Sequence, residues 1–336
     1  MSARRLSNIE FLRIVAIFMI VMMHGIGYAI HSPNEVNRIG VTAINSIGNM
    51  GVTTFMLISG FFGIRFRWSR LFQLWMIALF YSLVAFLADW FSTGLADLGG
   101  LFKAITPITS MTWWFLSWYV VILCLSPFLN KVVVELSKRQ MQMLLGVLIF
   151  FFILSPTILF HPMTNDLGGK GAPNMITAYL IGQYIGKHDL PTWFKNHSGM
   201  WFLLAVSIVF TGSFAAGCIS LTASNILCKD NNLFIVAGSV ALLCWVRKHT
   251  FHSSFVNYTA SFSFPLYLIN GYVFKYISPF YVGDSSSVSI WGPYILAVLT
   301  VAVIVWTVET LRRLLFNRLN ASLSQRIDRL LAPFTF

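Results

Sequence analysis

The stretch that decides the fold runs from Asn8 to Ile30 and reads NIEFLRIVAIFMIVMMHGIGYAI. It is long enough to cross a bilayer as a helix, which takes about 20 predominantly apolar residues. Three ionisable side chains interrupt it, namely Glu10, Arg13 and His24. An ionisable group in hydrocarbon costs at least ~2.5–3.5 kcal/mol on insertion scales and usually faces a polar cavity. We therefore expect one face of this helix to line a functional site.

Arg13 and His24 are eleven residues apart, and eleven helical steps of about 100° return to within roughly 20° of the same direction. The two side chains therefore share one stripe, about 16 Å apart along the axis. Glu10 has i,i+3 spacing to Arg13 and can pair with it. A structural interpretation, with an interfacial ion pair and a buried neutral imidazole, stays open beside a functional one. In the functional one, Arg13 binds a phosphate or carboxylate, and His24 is a general base or an acyl-accepting nitrogen.

The composition is that of an integral membrane protein. The chain has 57% hydrophobic residues, 10% charged residues and a mean hydropathy of +0.74, whereas soluble domains have about 25% charged residues. Its net charge of +12 is explained by Lys and Arg in cytoplasmic loops, so we predict no nucleic-acid partner. No Cys/His spacing indicates a metal site. Cys218 and Cys228 flank one loop and are candidates for a disulfide in an oxidising compartment.

Apolar runs recur along the whole chain and predict an all-α, polytopic membrane protein with about ten transmembrane helices. The predicted spans are 9–30, 41–62, 71–91, 112–130, 141–160, 174–186, 200–220, 231–246, 257–280 and 288–312. Of the 23 Lys and Arg residues, 17 fall in alternate loops and termini, and four fall in the loops between. This asymmetry predicts that both termini are cytoplasmic. We divide the chain into a ten-helix membrane domain, 1–315, and a basic amphipathic cytoplasmic tail, 316–336, that lies on membrane lipids.

The segment TTFMLISGFFGIRFRWSR, residues 53–70, follows as the second candidate region. Its Ser59-Gly60 pair permits a close backbone approach. The three arginines after it, Arg65, Arg67 and Arg70, form either a positive-inside loop or a clamp for a ligand with several phosphates. A small-xxx-small pair, Gly182 and Gly186, predicts close helix packing elsewhere in the bundle.

Aromatic and polar residues mark the third region and the C-terminal spans. Trp113, Trp114 and Tyr119 are typical of an interfacial belt, and they are also candidate contacts for a sugar. Pro265 is expected to kink a helix at its middle. Lys275 and Glu309 are candidates for an ion pair between the last two predicted spans.

These segments resemble the acyltransferase 3 family, integral membrane enzymes that O-acylate bacterial surface polysaccharides. The first helix has the family's Arg-x10-His pattern as Arg13 and His24. FMLISGFF at 55–62, followed by basic residues, is similar to the family's (F/L)xxSG(F/Y) segment. WWFLSWYVVILCLSPFLN at 113–130 is similar to its W(Y/F)L…Y…L…P segment.

The late segment departs from the family pattern. Many relatives have SFGxYLxH, and this chain has SFPLYLIN, with Pro265 for the glycine and Asn270 for the histidine. The departure leaves His24 as the principal catalytic candidate.

The resemblance implies an acyl-CoA donor, usually acetyl-CoA, that acts as a co-substrate with no tightly bound cofactor. It implies as acceptor a sugar hydroxyl of a glycan or lipid-linked sugar, bound at the outer face by Trp113, Trp114 or residues 31–40. It also implies multi-pass insertion in the bacterial cytoplasmic (inner) membrane. The expected site comprises catalytic His24 and Arg13, acyl-CoA-binding Arg65, Arg67, Arg70, Ser59 and Gly60, and substrate-binding Glu10, Trp113, Trp114, Tyr119 and Asn270.

A secondary transporter or flippase for a small polar solute is the rival function. Many spans and buried ionisable residues suit it. However, the ionisable residues cluster at one helix and one loop, and the sequence has no visible inverted repeat. The acyltransferase is therefore the favoured prediction.

Overall fold

The computed structural model describes residues 6–29, 34–95, 97–159, 168–219, 225, 227–281 and 290–334, and in these residues the regular structure is entirely helical. A π-helical turn, Phe150–Leu154, separates α7 from α8. The helices are α1 (Ser7–Ala29), α2 (Glu35–Gly48), α3 (Met50–Phe62), α4 (Trp68–Thr93), α5 (Leu98–Ile105), α6 (Trp114–Glu135), α7 (Lys138–Ile149), α8 (Ser155–Ile158), α9 (Ala172–His188), α10 (Thr192–Asn196), α11 (Ser198–Gly217), α12 (Leu233–Lys248), α13 (Ser254–Ala260), α14 (Ser263–Tyr281) and α15 (Trp291–Leu330).

The protein is all-α and built to cross a membrane several times. Within the described ranges, seven segments are long and apolar enough to span: α1, α2 with α3, α4, α6, α7 through α8, α11, and α15. The other three predicted spans coincide with α9, α12 and α14, which fall outside this set of seven. The total of ten and the cytoplasmic placement of the termini stay predictions.

Helix α3 lies at the centre of the bundle and packs against α1, α9 and α12. A Cβ atom added to Gly60 would lie 2.0 Å from the Tyr179 carbonyl oxygen on α9, and one on Gly182 would lie 2.2 Å from the Leu57 carbonyl oxygen. Gly51 meets α1 in the same way, 2.6 Å from the Ala16 carbonyl oxygen. These distances leave no room for a side chain, so glycine is what allows the three backbones to touch.

The glycine predictions are confirmed by this contact. A Cβ atom on Gly186 would lie 2.8 Å from the Phe61 carbonyl oxygen, so Gly182 and Gly186 together bring α9 onto α3. Gly60 makes the predicted close backbone approach with Tyr179 as its partner.

Helix α15 continues through Leu330 without a break, so it crosses the predicted boundary between membrane domain and tail. Its last turns run beside the start of α4. Gln73 donates a hydrogen bond to Ser324 at 3.1 Å, and the Ser69 N–H donates to the Asp328 carboxylate at 3.0 Å. The division at 315/316 stays a prediction, and the C-terminal residues are in contact with the region of the three arginines.

The predicted ion pair between Lys275 and Glu309 is wrong. Lys275 pairs with Asp89 on α4 at 2.5 Å. Glu309 pairs with Arg312 and Arg313 at 2.6 Å and accepts a hydrogen bond from Tyr81 at 2.8 Å. Asp89 lies eight residues, about 12 Å, beyond Tyr81 along α4, so Lys275 and Glu309 contact different levels of that helix.

The expected mid-helix position of Pro265 is also wrong, and the possible disulfide between Cys218 and Cys228 is not formed. Pro265 is the third residue of α14 rather than its middle, where a missing N–H leaves no helical hydrogen bond unmade. Cys218 and Cys228 are both free thiols. The Cys218 sulfur contacts the Arg38 guanidinium, and the Cys228 sulfur contacts the Ser213 hydroxyl at 3.3 Å.

Replacing Gly60 with alanine tests the α3–α9 contact. We expect Gly60→Ala to lower the free energy of unfolding by about 1–3 kcal/mol, because the added methyl group overlaps main-chain atoms that cannot rotate away. The measurement is the apparent melting temperature of the full chain in detergent. Gly146→Ala is the matched control, since nothing lies within 4 Å of that position on α7, and alanine favours a helix by about 1 kcal/mol over glycine. Equal melting temperatures for the two variants would contradict the packing argument.

Candidate active site

Three adjoining cavities run through the bundle. We name them by a residue of each. The His24 cavity has a volume of about 280 Å³ and is lined by His24, Thr112, Trp113, Trp114, Tyr267, Leu268, Gly271, Tyr272 and Lys275. The Arg13 cavity, about 430 Å³, is lined by Arg13, Ser59, Arg70, Gln73, Phe115, Tyr119, Ser261 and Tyr267 among others. The arginine cavity, about 350 Å³, is lined by Gly63, Arg65, Arg67, Ser69, Arg70 and Gln73.

Neighbouring cavities have lining residues in common. Tyr267 lines both the His24 cavity and the Arg13 cavity. Gly63, Arg70 and Gln73 line both the Arg13 cavity and the arginine cavity. Three arginines therefore stand at one end of a row of cavities, and a histidine stands at the other.

His24 is held by Asn270, which comes from α14 and is fully buried. The Asn270 amide nitrogen donates to the carbonyl oxygens of Leu266 and Tyr267, both at 2.8 Å. Its amide oxygen therefore faces His24 Nδ1, also at 2.8 Å. Since that oxygen only accepts, a neutral His24 carries its proton on Nδ1 and has a free lone pair on Nε2. A histidine in this tautomer is set up to accept a proton or an acyl group at Nε2.

Arg13 lines the next cavity and does not share one with His24. Its guanidinium pairs with Glu10 at 2.7 Å, as the i,i+3 spacing predicts, and lies 5.7 Å from the centre of the Phe62 ring. The Arg13 side chain keeps 31% of its surface exposed, against 10% for Glu10. Glu10 thus offsets part of the charge of Arg13, and the guanidinium still reaches the cavity beside Ser59.

The loop that carries the arginines is fixed by main-chain hydrogen bonds at Ile64. Its N–H donates to the Tyr179 hydroxyl at 3.0 Å, and its carbonyl oxygen accepts from the Asn130 amide at 2.7 Å. Tyr179 in turn donates to Asn130 at 2.7 Å. Because Tyr179 is also the residue whose backbone meets Gly60, the glycine contact between α3 and α9 sets the position of this loop.

The predicted site residues divide into those that line a cavity and those that hold other site residues in place. Trp113 and Trp114 line the His24 cavity, and Ser59 and the three arginines line the two cavities next to it. Tyr119 does not join the two tryptophans: it lies one cavity away, in the wall of the Arg13 cavity. Gly60 packs against α9. Asn270 contacts His24, and Glu10 pairs with Arg13. These three residues therefore support site residues without lining a cavity. Of the predicted 31–40 segment, residues 31–33 lie outside the described part of the chain.

Sequence reasoning missed several lining residues, among them Tyr267, Gln73 and Thr112. Gln73 and Thr112 belong to no motif. Tyr267 matches the tyrosine of the family's SFGxYLxH pattern, and that match was the signal in the sequence. In the described residues, no group of three or more His, Cys, Asp or Glu side chains is arranged to hold a metal ion.

The histidine tautomer gives a direct test of the Asn270 contact. In the full chain labelled with ¹⁵N-histidine, we expect the His24 signals of a protonated Nδ1 and an unprotonated Nε2. Asn270→Leu removes the hydrogen-bond acceptor and should shift His24 toward a mixture of tautomers, measured by solid-state NMR in lipid. His24→Gln assigns the signal among the seven histidines. A wild-type His24 protonated on Nε2 would refute the assignment.

Comparison with known proteins identifies the family. The family model described as "Acyltransferase domain", for the acyltransferase 3 family, matches residues 6–309 of the 336. Neither a curated protein nor a solved structure gives a match to the chain. The match covers α1 and most of α15, and so includes all the site residues described above. The chain therefore belongs to the acyltransferase 3 family of membrane acyltransferases.

Proposed function

We propose that the protein transfers an acyl group, most simply acetyl, from cytoplasmic acyl-CoA to a sugar hydroxyl of a cell-surface or lipid-linked glycan. The single observation that supports it is the row of cavities, with three arginines at one end and a histidine with a free Nε2 at the other. A long ligand with phosphates at one end and a reactive group at the other fits this arrangement. Acyl-CoA has that shape.

The arginine cavity is the proposed site for the CoA phosphates. Arg65, Arg67 and Arg70 line it together, and guanidinium groups form strong charge-assisted hydrogen bonds to phosphate oxygens. The pantetheine arm then extends through the Arg13 cavity, whose walls include Phe55, Ile77 and Leu116. The roughly 16 Å between Arg13 and His24 along α1 is of the order that an extended arm bridges, which brings the thioester toward His24.

The His24 cavity is the proposed site for the acceptor. Trp113 and Trp114 line it beside the histidine, and the flat faces of indole rings suit the apolar faces of sugars. The acyl donor and acceptor thus enter from opposite sides of Tyr267. This arrangement fits a donor from the cytoplasm and an acceptor at the outer face of the inner membrane.

The proposed reaction is general-base catalysis at His24 Nε2. The imidazole takes the proton of the sugar hydroxyl while its oxygen attacks the thioester carbonyl. The new C–O bond forms, the C–S bond breaks, and the departing CoA sulfur takes the proton from the imidazolium. The products are the sugar ester and CoA-SH. In the covalent variant, Nε2 attacks first and carries the acyl group before the sugar does. A labelled acyl-protein formed without acceptor would support that variant.

The transporter hypothesis loses support from these findings. The family assignment is to acyltransferases, and His24, Arg13 and the three arginines line a row of three cavities that a long acyl donor accounts for together. Transport remains the outcome to consider if no acyl transfer is detected.

Removing the arginines tests the acyl-donor site. We expect Arg65→Gln, Arg67→Gln and Arg70→Gln each to raise the KM for acetyl-CoA by about 10-fold or more, because hydrogen bonds to charged groups contribute roughly 1.5–3 kcal/mol. The KM for the acetyl thioester of N-acetylcysteamine, which has no phosphates, should not change. Arg139→Gln on α7, which lines none of the three cavities, is the control. Equal effects on both acyl donors would argue against phosphate binding.

Removing His24 tests the activity itself. Proton NMR of the surface glycan from a deletion strain should show ester-linked acyl groups when the strain carries the wild-type chain. These signals should vanish with His24→Ala at equal membrane levels of protein, checked by blot. Unchanged acylation with His24→Ala would remove α1 as the catalytic element, and no acyl difference between any strains would contradict the proposed function.

A further inference from the structure

Tyr267 occupies a position that the proposed function leaves without a role. Among the described residues, it alone lines both the His24 cavity and the Arg13 cavity. It is 7% exposed, and its ring packs edge-on against Phe115 with the centroids 5.4 Å apart. The side chain is therefore fixed between the proposed thioester and the proposed acceptor.

The first turn of α6 packs against the ring of Tyr267. Phe115 lies in this turn and makes the edge-on ring contact with Tyr267. Both residues also line the Arg13 cavity. No hydrogen bond donated by the Tyr267 hydroxyl to another described residue is present.

Tyr267 is also linked to His24, the proposed base, through Asn270. The Asn270 amide nitrogen donates to the Tyr267 carbonyl oxygen at 2.8 Å, and the Asn270 amide oxygen contacts His24 Nδ1 at the same distance. One buried amide therefore fixes both the histidine ring and the main chain of Tyr267. His24 and Tyr267 also line the same cavity.

We propose that the Tyr267 hydroxyl is a catalytic hydrogen-bond donor that stabilises the oxyanion formed on the thioester carbonyl. The proposal rests on the proposed function. As the sugar oxygen bonds to the carbonyl carbon, the carbonyl π electrons move to its oxygen, and the Tyr267 O–H donates to that oxygen without giving up its proton. When the C–S bond breaks, the carbonyl re-forms and the sulfur leaves with the electron pair. Charge that develops in the transition state is where such a donor lowers the barrier.

Two cationic groups of these cavities, Lys275 and Arg13, are already paired, and a third, Arg70, lies where the Arg13 cavity meets the arginine cavity. Lys275, which lines the His24 cavity, pairs with Asp89 at 2.5 Å. Arg13 pairs with Glu10 at 2.7 Å and lies in the wall of the Arg13 cavity. Neither lies between the two cavities, as Tyr267 does, so the phenol is the group best placed to reach the carbonyl oxygen.

Infrared spectroscopy of the bound acyl donor tests the hydrogen bond without turnover. The full chain carrying His24→Ala, in lipid nanodiscs, is loaded with acetyl-CoA labelled with ¹³C at the carbonyl. We expect the carbonyl stretch of the bound thioester to lie at lower frequency than in solution, and to return toward the solution value when Tyr267→Phe is added. The same frequency with and without the hydroxyl overturns the proposal. A chain that shows no bound thioester band overturns the proposed function instead.

Steady-state kinetics give the second readout. In the His24-containing chain, Tyr267→Phe should lower kcat by roughly 100- to 1,000-fold, the usual effect of removing one oxyanion donor, with the KM for acetyl-CoA changed by about twofold at most. Tyr294→Phe is the matched control, since Tyr294 is also buried, donates to the Met22 carbonyl at 2.6 Å and lines none of the three cavities. A raised KM with unchanged kcat, or an equal loss of kcat in both variants, would show that Tyr267 has only a structural role.

Discussion

The contact on which the rest of the structure depends is the one between the backbones of α3 and α9. Three glycines make it, Gly60 from α3 and Gly182 and Gly186 from α9, and none of them has room for a methyl group. The same approach brings the Tyr179 hydroxyl to Ile64 in the loop after α3. This contact therefore helps to fix the arginine loop, together with the Asn130 amide that donates to the Ile64 carbonyl oxygen. The geometry of the site is therefore a consequence of helix packing between small residues, as is usual where lipid provides no hydrophobic drive.

The arginines and the histidine of the site lie in different cavities. The charged groups that suit phosphates lie in the arginine cavity, and the reactive imidazole lies two cavities away, beside tryptophans. In the proposed function, this separation keeps the CoA phosphates away from the reaction centre while the pantetheine arm spans the distance. It also explains why Arg13 and His24 share a helical stripe and yet line different cavities. Distance along the helix, rather than direction around it, decides which cavity each one lines.

The structure explains the departure from the family pattern at Asn270. In the sequence it stands where many relatives have a histidine, which suggested a loss of acid–base function. In the structure its amide is fully satisfied by two carbonyl groups and His24. An amide cannot titrate, so it selects the same tautomer of the neutral His24 ring whatever the charge of neighbouring groups. In the proposed function, Asn270 is thus a positioning residue for the base rather than a weakened substitute for it.

The sequence by itself determined the class of protein, the helical architecture, the ion pair of Glu10 with Arg13 and the glycine positions at which another backbone comes close. These follow from local hydropathy, i,i+3 spacing and the absence of side chains, which are properties of adjacent residues. Only the tertiary structure decided that Lys275 meets Asp89, that Tyr119 lies apart from Trp113, and that Tyr267 stands between two cavities. Those facts depend on the relative height and rotation of helices distant in sequence. Heights and rotations are set by packing across the whole bundle, and no single segment encodes them.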